Sequence, residues 1–194
     1  SQSHDVAWAR DHCGICVGST MAVIAFSDNR TTRWLRCVSC SSGHVDNGGV
    51  ISPSTKPLSV PAGIPPVELA AWTEIRECLG IGAYTAAVMM CRKLLFHIAV
   101  GHGLPAKNNK DRAPTFSEAV EQLEKTGLIT KKMLPWVERI KDFGNDANHE
   151  IIPMTIVEAK DASIFTEQLL KLAYEMDALM ASAGSQIVTS EIDE

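Results

Sequence analysis

The sequence predicts a mainly α protein: a bundle of about five helices preceded by a small β-hairpin module. Three observations carry this. The first 47 residues hold two tight cysteine pairs and lack helical periodicity. Residues 48–66 contain five prolines and three glycines. After Pro66, apolar residues recur every three or four positions, the period of amphipathic helices.

The elements follow in order. "TMAVIAF" (Thr20 to Phe26) and "TTRWLRC" (Thr31 to Cys37) read as strands around the polar turn "SDNR", a hairpin. Residues 48–66 read as an extended, semi-rigid linker. "VELAAWTEIRECLGIG" has an apolar face at Leu69, Trp72, Ile75 and Leu79. In "AYTAAVMMCRKLLFHIAV", Tyr84, Val88, Cys91, Leu95 and Ile98 form one stripe that must be buried. Thr115 with Glu118 spells a capping box, and Gly127 a stop. "TKKMLPWVERIKDFGNDANHE" turns Leu134, Val137, Ile140 and Phe143 to the core, with Pro135 fitting only its first turn. A long amphipathic helix then ends near residue 184, leaving 185–194 as a polar, fraying tail. The expected domains are thus 1–47, the linker 48–66, and a helical domain over 67–184.

Composition narrows the function classes. The 194 residues are 45% hydrophobic and 21% charged, the balance of a folded soluble chain. A net charge of −5 excludes a general basic field for nucleic acid. Local basic patches are still expected from Lys107, Lys110, Arg112, Lys131 and Lys132. No apolar run is long enough to span a membrane, and no secretory leader is visible, so a cytoplasmic protein is expected.

The strongest signal is Cys13-x2-Cys16, twenty residues, then Cys37-x2-Cys40. Two residues between thiolates let both reach one ion from a tight turn, and two such knuckles close a tetrahedral site. Structural Zn(II) is the expected occupant. Four thiolates leave no position for substrate, and a module of this size has too little core to fold without help. His12 and His44 flank the knuckles and are expected to face solvent rather than to replace a ligand. Cys78 and Cys91 are expected to be buried apolar residues. The module would bind RNA, DNA or a protein. Arg33, Trp34 and Arg36 are the candidate contacts, since interleaved arginine and aromatic residues can stack on unpaired bases.

A second candidate lies after Arg139. On a helix, Lys141, Asp142, Asn145, Asp146 and His149 fall within roughly 140° of one another. Together with "GAYTAAVMMCRKLLFHI" and "FSEAVEQLEKTGLIT", the stretch "ERIKDFGNDANHE" resembles the bacterial domain-of-unknown-function family 4145, within the HEPN-like helical superfamily. Arg92 matches the family's arginine; Gly144, Asn145 and His149 match its G-N-x-x-x-H core. The resemblance covers about 110 residues, and an N-terminal cysteine-pair module is typical of such proteins.

What the resemblance implies is a homodimer through the helical domain and a setting in bacterial or phage conflict systems. The leading expectation is a non-catalytic accessory protein associated with nucleic acid or nucleotides. One alternative is a metal-independent ribonuclease. His149 would move protons beside Asn145, and Arg92, or else Lys141 or Arg139, would supply a cation, because Gly144 stands where active relatives carry arginine. The other alternative is a protein-binding adaptor.

Overall fold

Side-chain alternation organises the first unit. In β3 (Thr32–Cys37), Leu35 and Cys37 are buried while Trp34 and Arg36 are exposed. It pairs with β2 (Met21–Phe26) and β4 (Gly43–Asn47), and β1 (Trp8–Ala9) and β5 (Val50–Ser52) close the edges. All neighbours are antiparallel, in sequential order. The expected hairpin is therefore the centre of a five-stranded meander. The computed structural model describes residues 7–107, 111–149 and 153–190, with side chains described as far as 142 and 183 in the two helices that run on from there.

The linker expected over 48–66 is largely taken up by structure. Gly48 and Gly49 have φ of +61° and +91°, and Asn47 pairs directly with Val50. Two consecutive positive φ values make the tight hairpin turn whose twist matches the strands, which glycine alone adopts freely. Asp46 pins that turn by accepting from the Gly49 amide at 2.8 Å. The chain divides into compact units at Pro57/Leu58.

The second unit is helical: α1 (Pro66–Gly80), α2 (Tyr84–Gly101), α3 (Phe116–Lys125), α4 (Leu134–His149), α5 (Ile156–Leu170), a π-helical turn (Lys171–Glu175) and α6 (Met176–Ser190). Its core contains Trp72 and Ile75 of α1, Val88, Cys91, Leu95 and Ile98 of α2, and Phe165 and Leu169 of α5. The stripe expected on α2 is thus the one that is buried. Both bonds of the capping box at Thr115/Glu118 are present, and Thr155/Glu158 forms a second box with the same spelling. Gly82, Gly103 and Gly127 adopt positive φ just past three helix ends. The last helix passes through Gly184 to Ser190, beyond the expected end.

Residues 58–64, expected as tether, strap α1 to α5. The Ser59 amide donates to Glu167 at 2.8 Å, and its hydroxyl donates to the same oxygen. Trp72 Nε1 donates to the Ser59 carbonyl at 2.8 Å, and Arg76 to that of Leu58 at 2.9 Å. Burial would raise the Glu167 carboxyl, but the Ser59 bonds and nearby Lys171 hold it below its ordinary 4.5. Replacing Glu167 by Ala removes the acceptor that ties exposed Ser59 to α5, an expected loss of about 0.5–1.5 kcal/mol at pH 7. A depressed pKa contributes stability above the unfolded value and loses it as pH falls through the folded one. Urea titrations of both proteins at pH 7 and pH 3 should therefore show the gap shrinking in acid.

Candidate metal centre and the open face of the sheet

The two cysteine knuckles have one backbone pattern. Cys13 donates to Gly18 and accepts from Val17; Cys37 donates to Ser42 and accepts from Ser41. Val17 and Ser41 both take the left-handed conformation, with φ of +61° and +62°. In the first knuckle, the Ile15 and Cys16 amides also point at the Cys13 sulfur, at 3.3 and 3.4 Å. Donors aimed at sulfur stabilise thiolate.

The knuckles bring all four sulfurs within 4.8 Å of one another. Cys13 to Cys40 is 3.7 Å and Cys16 to Cys37 is 3.6 Å. Neither is a disulfide, which requires about 2 Å. A tetrahedron of bonds about 2.3 Å long has edges of about 3.8 Å, so the separations suit four thiolates on one ion. The cluster could therefore hold a metal ion, with no position left open for substrate. The thiols also compete for protons. Burial opposes the Cys13 thiolate, but Ser42 and the Cys16 and Ile15 amides bring it down to about 5. Ser42 likewise lowers Cys40. Cys16 gains from the Gly18 amide, yet the Cys40 and Cys37 thiols push it up to about 12. Adjacent thiols cannot all be anionic alone; a cation removes that conflict.

His44 differs from its expected solvent-facing position: it is 3% exposed. Its Nε2 accepts from the Gly14 amide at 3.1 Å, so the neutral ring carries its proton on Nδ1, 3.3 Å from the Ser42 carbonyl. One ring thereby links the first knuckle to the second. It acts on the ligands' backbone and is not a fifth member of the cluster. Only its position next to a knuckle hinted at this. His12 is exposed, as expected. Gly14 is fixed by another contact: a Cβ there would lie 2.3 Å from the Pro53 carbonyl oxygen and 2.6 Å from that of Ser54.

The other face of the sheet is open. Trp34 is 44% exposed and Trp8 61%, and Arg36 shares their face through the Trp8–Ala22–Arg36–Gly43 row of paired residues. Beside them Ile24, Trp34, Arg36, Gly43, Val45 and Ser52 line a groove of about 390 Å³. Gly43 leaves its floor open, since a Cβ there would meet nothing within 4 Å. Arg33 is not part of this face. Its Nε donates to buried Asp46 at 2.7 Å and its NH2 to Asp11 at 3.3 Å; the Arg33 bond to Asp46, with the Gly49 amide, holds the Asp46 carboxyl below its ordinary range.

The helical candidates separate as well. Arg92 NH1 donates to the Ile140 and Lys141 carbonyls, both at 2.9 Å, and its guanidinium lies 4.6 Å from the Phe116 ring centre. It clamps α2 to α4. The α4 backbone stays helical through His149, while the side chains of Asn145 and His149 lie outside the described residues. Lys141 pairs with Glu138 and Arg139 with Asp161. Of the expected basic patch, Lys107 pairs with Asp111, Lys131 and Lys132 are exposed, and Lys110 lies outside the described residues. Cys91 is buried against Ser163, and burial pushes its thiol up to about 11; burial also raises Cys78.

If the knuckles are locked as described, His44→Ala should weaken metal binding about 10–100-fold, as loss of an outer-shell partner does. Gly14→Ala should do at least as much, because the atoms it meets are backbone. Gly43→Ala is the matched control and should leave affinity unchanged. Competition with a chromogenic chelator measures all three.

No curated protein and no solved structure matches the chain. No helix among the described residues is long and apolar enough to cross a membrane. Residues 73–187, more than half of the sequence and nearly the whole helical unit, match the family described as Domain of unknown function (DUF4145), and the chain belongs to that family.

Proposed function

We propose that this chain is a non-catalytic nucleic-acid-associated accessory protein, in which a zinc-closed ribbon presents its open sheet face to single-stranded nucleic acid. Zinc is the reading for the metal because four thiolates at tetrahedral spacing suit a soft, redox-inert ion in a closed structural site. The observation that carries the binding reading is Trp34 beside Arg36 over a groove floored by Gly43. An exposed indole offers a base a stacking surface, and an arginine at its side meets the phosphate. Charge supports the same unit. The first 57 residues carry five Lys/Arg against four Asp/Glu, a net +1, so the helical unit carries −6 against −5 for the whole chain.

The helical unit is read as a HEPN-like scaffold. A ribonuclease role for it gains nothing from Arg92, whose charge is engaged with α4 carbonyls and Phe116. RNA incubated with the protein should stay intact, and equally so with His149→Ala.

Metal analysis of the purified chain should give one zinc per chain. Fluorescence anisotropy with labelled single-stranded oligonucleotides tests the face. Trp34→Ala should weaken binding by roughly 5- to 150-fold, the worth of one stacked base. Gly43→Val, whose Cβ would meet nothing within 4 Å, should narrow the groove and weaken binding comparably. The salt slope should be shallow, on the order of −1 to −2, since few cations line the face. Duplexes should compete poorly. Absence of any retention at low salt by zinc-loaded protein would overturn the reading and leave a protein-binding adaptor.

A further inference from the structure

A groove of about 650 Å³ lies between α1, α2 and the chain that leads into α3. Its volume is that of a small-molecule site. On α1, Val67, Ala70 and Glu74 line it at helical spacing, and on α2 Lys93, His97 and Val100 do the same. The methyl side chain of Ala70 leaves the floor open. Ala113 and Pro114 form the wall. That wall is anchored on both sides: Gln122 of α3 donates to the His102 carbonyl at 2.7 Å, and the Thr115 capping box follows Pro114 directly.

The charged groups of the groove differ in what they meet. His97 Nε2 lies 3.3 Å from Glu68 Oε1, which also accepts from the Tyr174 hydroxyl at 3.4 Å. Burial and the Glu68 charge push the Tyr174 phenol up to about 12, so it stays a donor. Glu68 and His97 thus have partners. Glu74 and Lys93 make no ion pair or hydrogen bond among the described residues, with each other or with any other group. Yet they share one end of the groove. A three-residue connection makes α1 and α2 antiparallel neighbours. From the Glu68–His97 contact, Glu74 is six residues onward and Lys93 four residues back, so the two differ by only about 3 Å along the axis. From that end the floor runs about 10 Å to Val67 and Val100.

We infer that this groove binds a zwitterion whose ammonium and carboxylate share one end of an apolar body, the chemistry of a large apolar α-amino acid. The carboxylate meets Lys93 and the ammonium meets Glu74. The apolar side chain lies along the floor toward Val67 and Val100, against Ala113 and Pro114. Charge selects this occupant. A plain carboxylic acid would bring its anion beside Glu74, and a plain amine would bring its cation beside Lys93, like charges that repel. A phosphate dianion would meet Glu74 with two charges. A zwitterion answers both side chains with charge-assisted hydrogen bonds, and its body removes the apolar floor from water. The site lies wholly within the helical unit and is independent of the sheet face of the first unit.

Titration calorimetry of the full chain with L-phenylalanine tests this, with three truncated probes beside it. 3-Phenylpropanoate lacks the ammonium, phenethylamine lacks the carboxylate, and alanine lacks the apolar body. Phenylalanine should bind saturably, and each truncation should weaken binding by about tenfold or more. Lys93→Met should weaken phenylalanine and phenylpropanoate by about tenfold and leave phenethylamine unchanged. Glu74→Gln should do the reverse, weakening phenylalanine and phenethylamine only. Ala70→Leu, at an exposed position on α1, should fill the floor and weaken phenylalanine severalfold. All three side chains are exposed, so helical circular dichroism should not change. No saturable binding of phenylalanine to the folded chain would overturn the inference. So would phenylpropanoate binding as tightly as phenylalanine with Glu74→Gln silent, the mark of a simple anion site, or phenylalanine binding untouched by Ala70→Leu.

Discussion

The first unit depends on four sulfurs meeting within 4.8 Å. Its buried apolar cluster consists of Ala9, Cys13, Met21, Leu35 and Cys37, so two of the five residues are themselves candidate ligands. So small a core cannot offset the ordering of a five-stranded sheet by burial alone. Without a cation, the thiols also oppose one another's ionisation. The cysteine cluster that could hold a metal and the core are therefore one structure. Its influence reaches the opposite face through β3, where Leu35 and Cys37 point in and Trp34 and Arg36 point out. Whatever holds Cys37 in place also fixes the groove behind it.

The knuckles are held by more than their ligands. His44 spans from the Gly14 amide to the Ser42 carbonyl, and the Pro53–Ser54 backbone closes over Gly14. The chain leaving β5 thus packs on the turn that follows β1. Each contact acts on backbone near a cysteine, so each limits how far the thiols can move. A site preorganised in this way spends less of its binding energy on ordering the protein.

What could be read from the sequence was local. The C-x2-C spacing, the α2 stripe and the Thr115/Glu118 box are all short-range patterns, and the folded chain realises them. The failures have a common form. Composition assigns Gly48, Gly49 and Val50 to a linker, although two glycines between alternating residues also spell a hairpin turn. The strap at 58–64 depends on Glu167, 108 positions away from Ser59, and nothing near Ser59 announces that partner. His44 likewise depends on Gly14, 30 positions away. The separation of Arg33 from Trp34 was available in principle. Adjacent strand residues face opposite ways, so an R-W-x-R run can place only its second arginine beside the indole.

Arginine placement differs in a way that bears on the chemistry proposed for each unit. An arginine that stabilises a developing phosphorane must bring an uncommitted charge to it. Arg92 instead donates to two carbonyls of α4 and lies over Phe116. Each charged hydrogen bond of this kind is worth about 1.5–3 kcal/mol, so turning outward would forfeit several kcal/mol and loosen α2 from α4. Arg33 is held by Asp46 and Asp11 in the same way. Arg36 makes no ion pair among the described residues, and it lies on the side of the sheet that bears the exposed indoles. The fold thus engages Arg33 and Arg92 internally and leaves Arg36 exposed beside the indoles, the geometry on which the proposed binding reading rests.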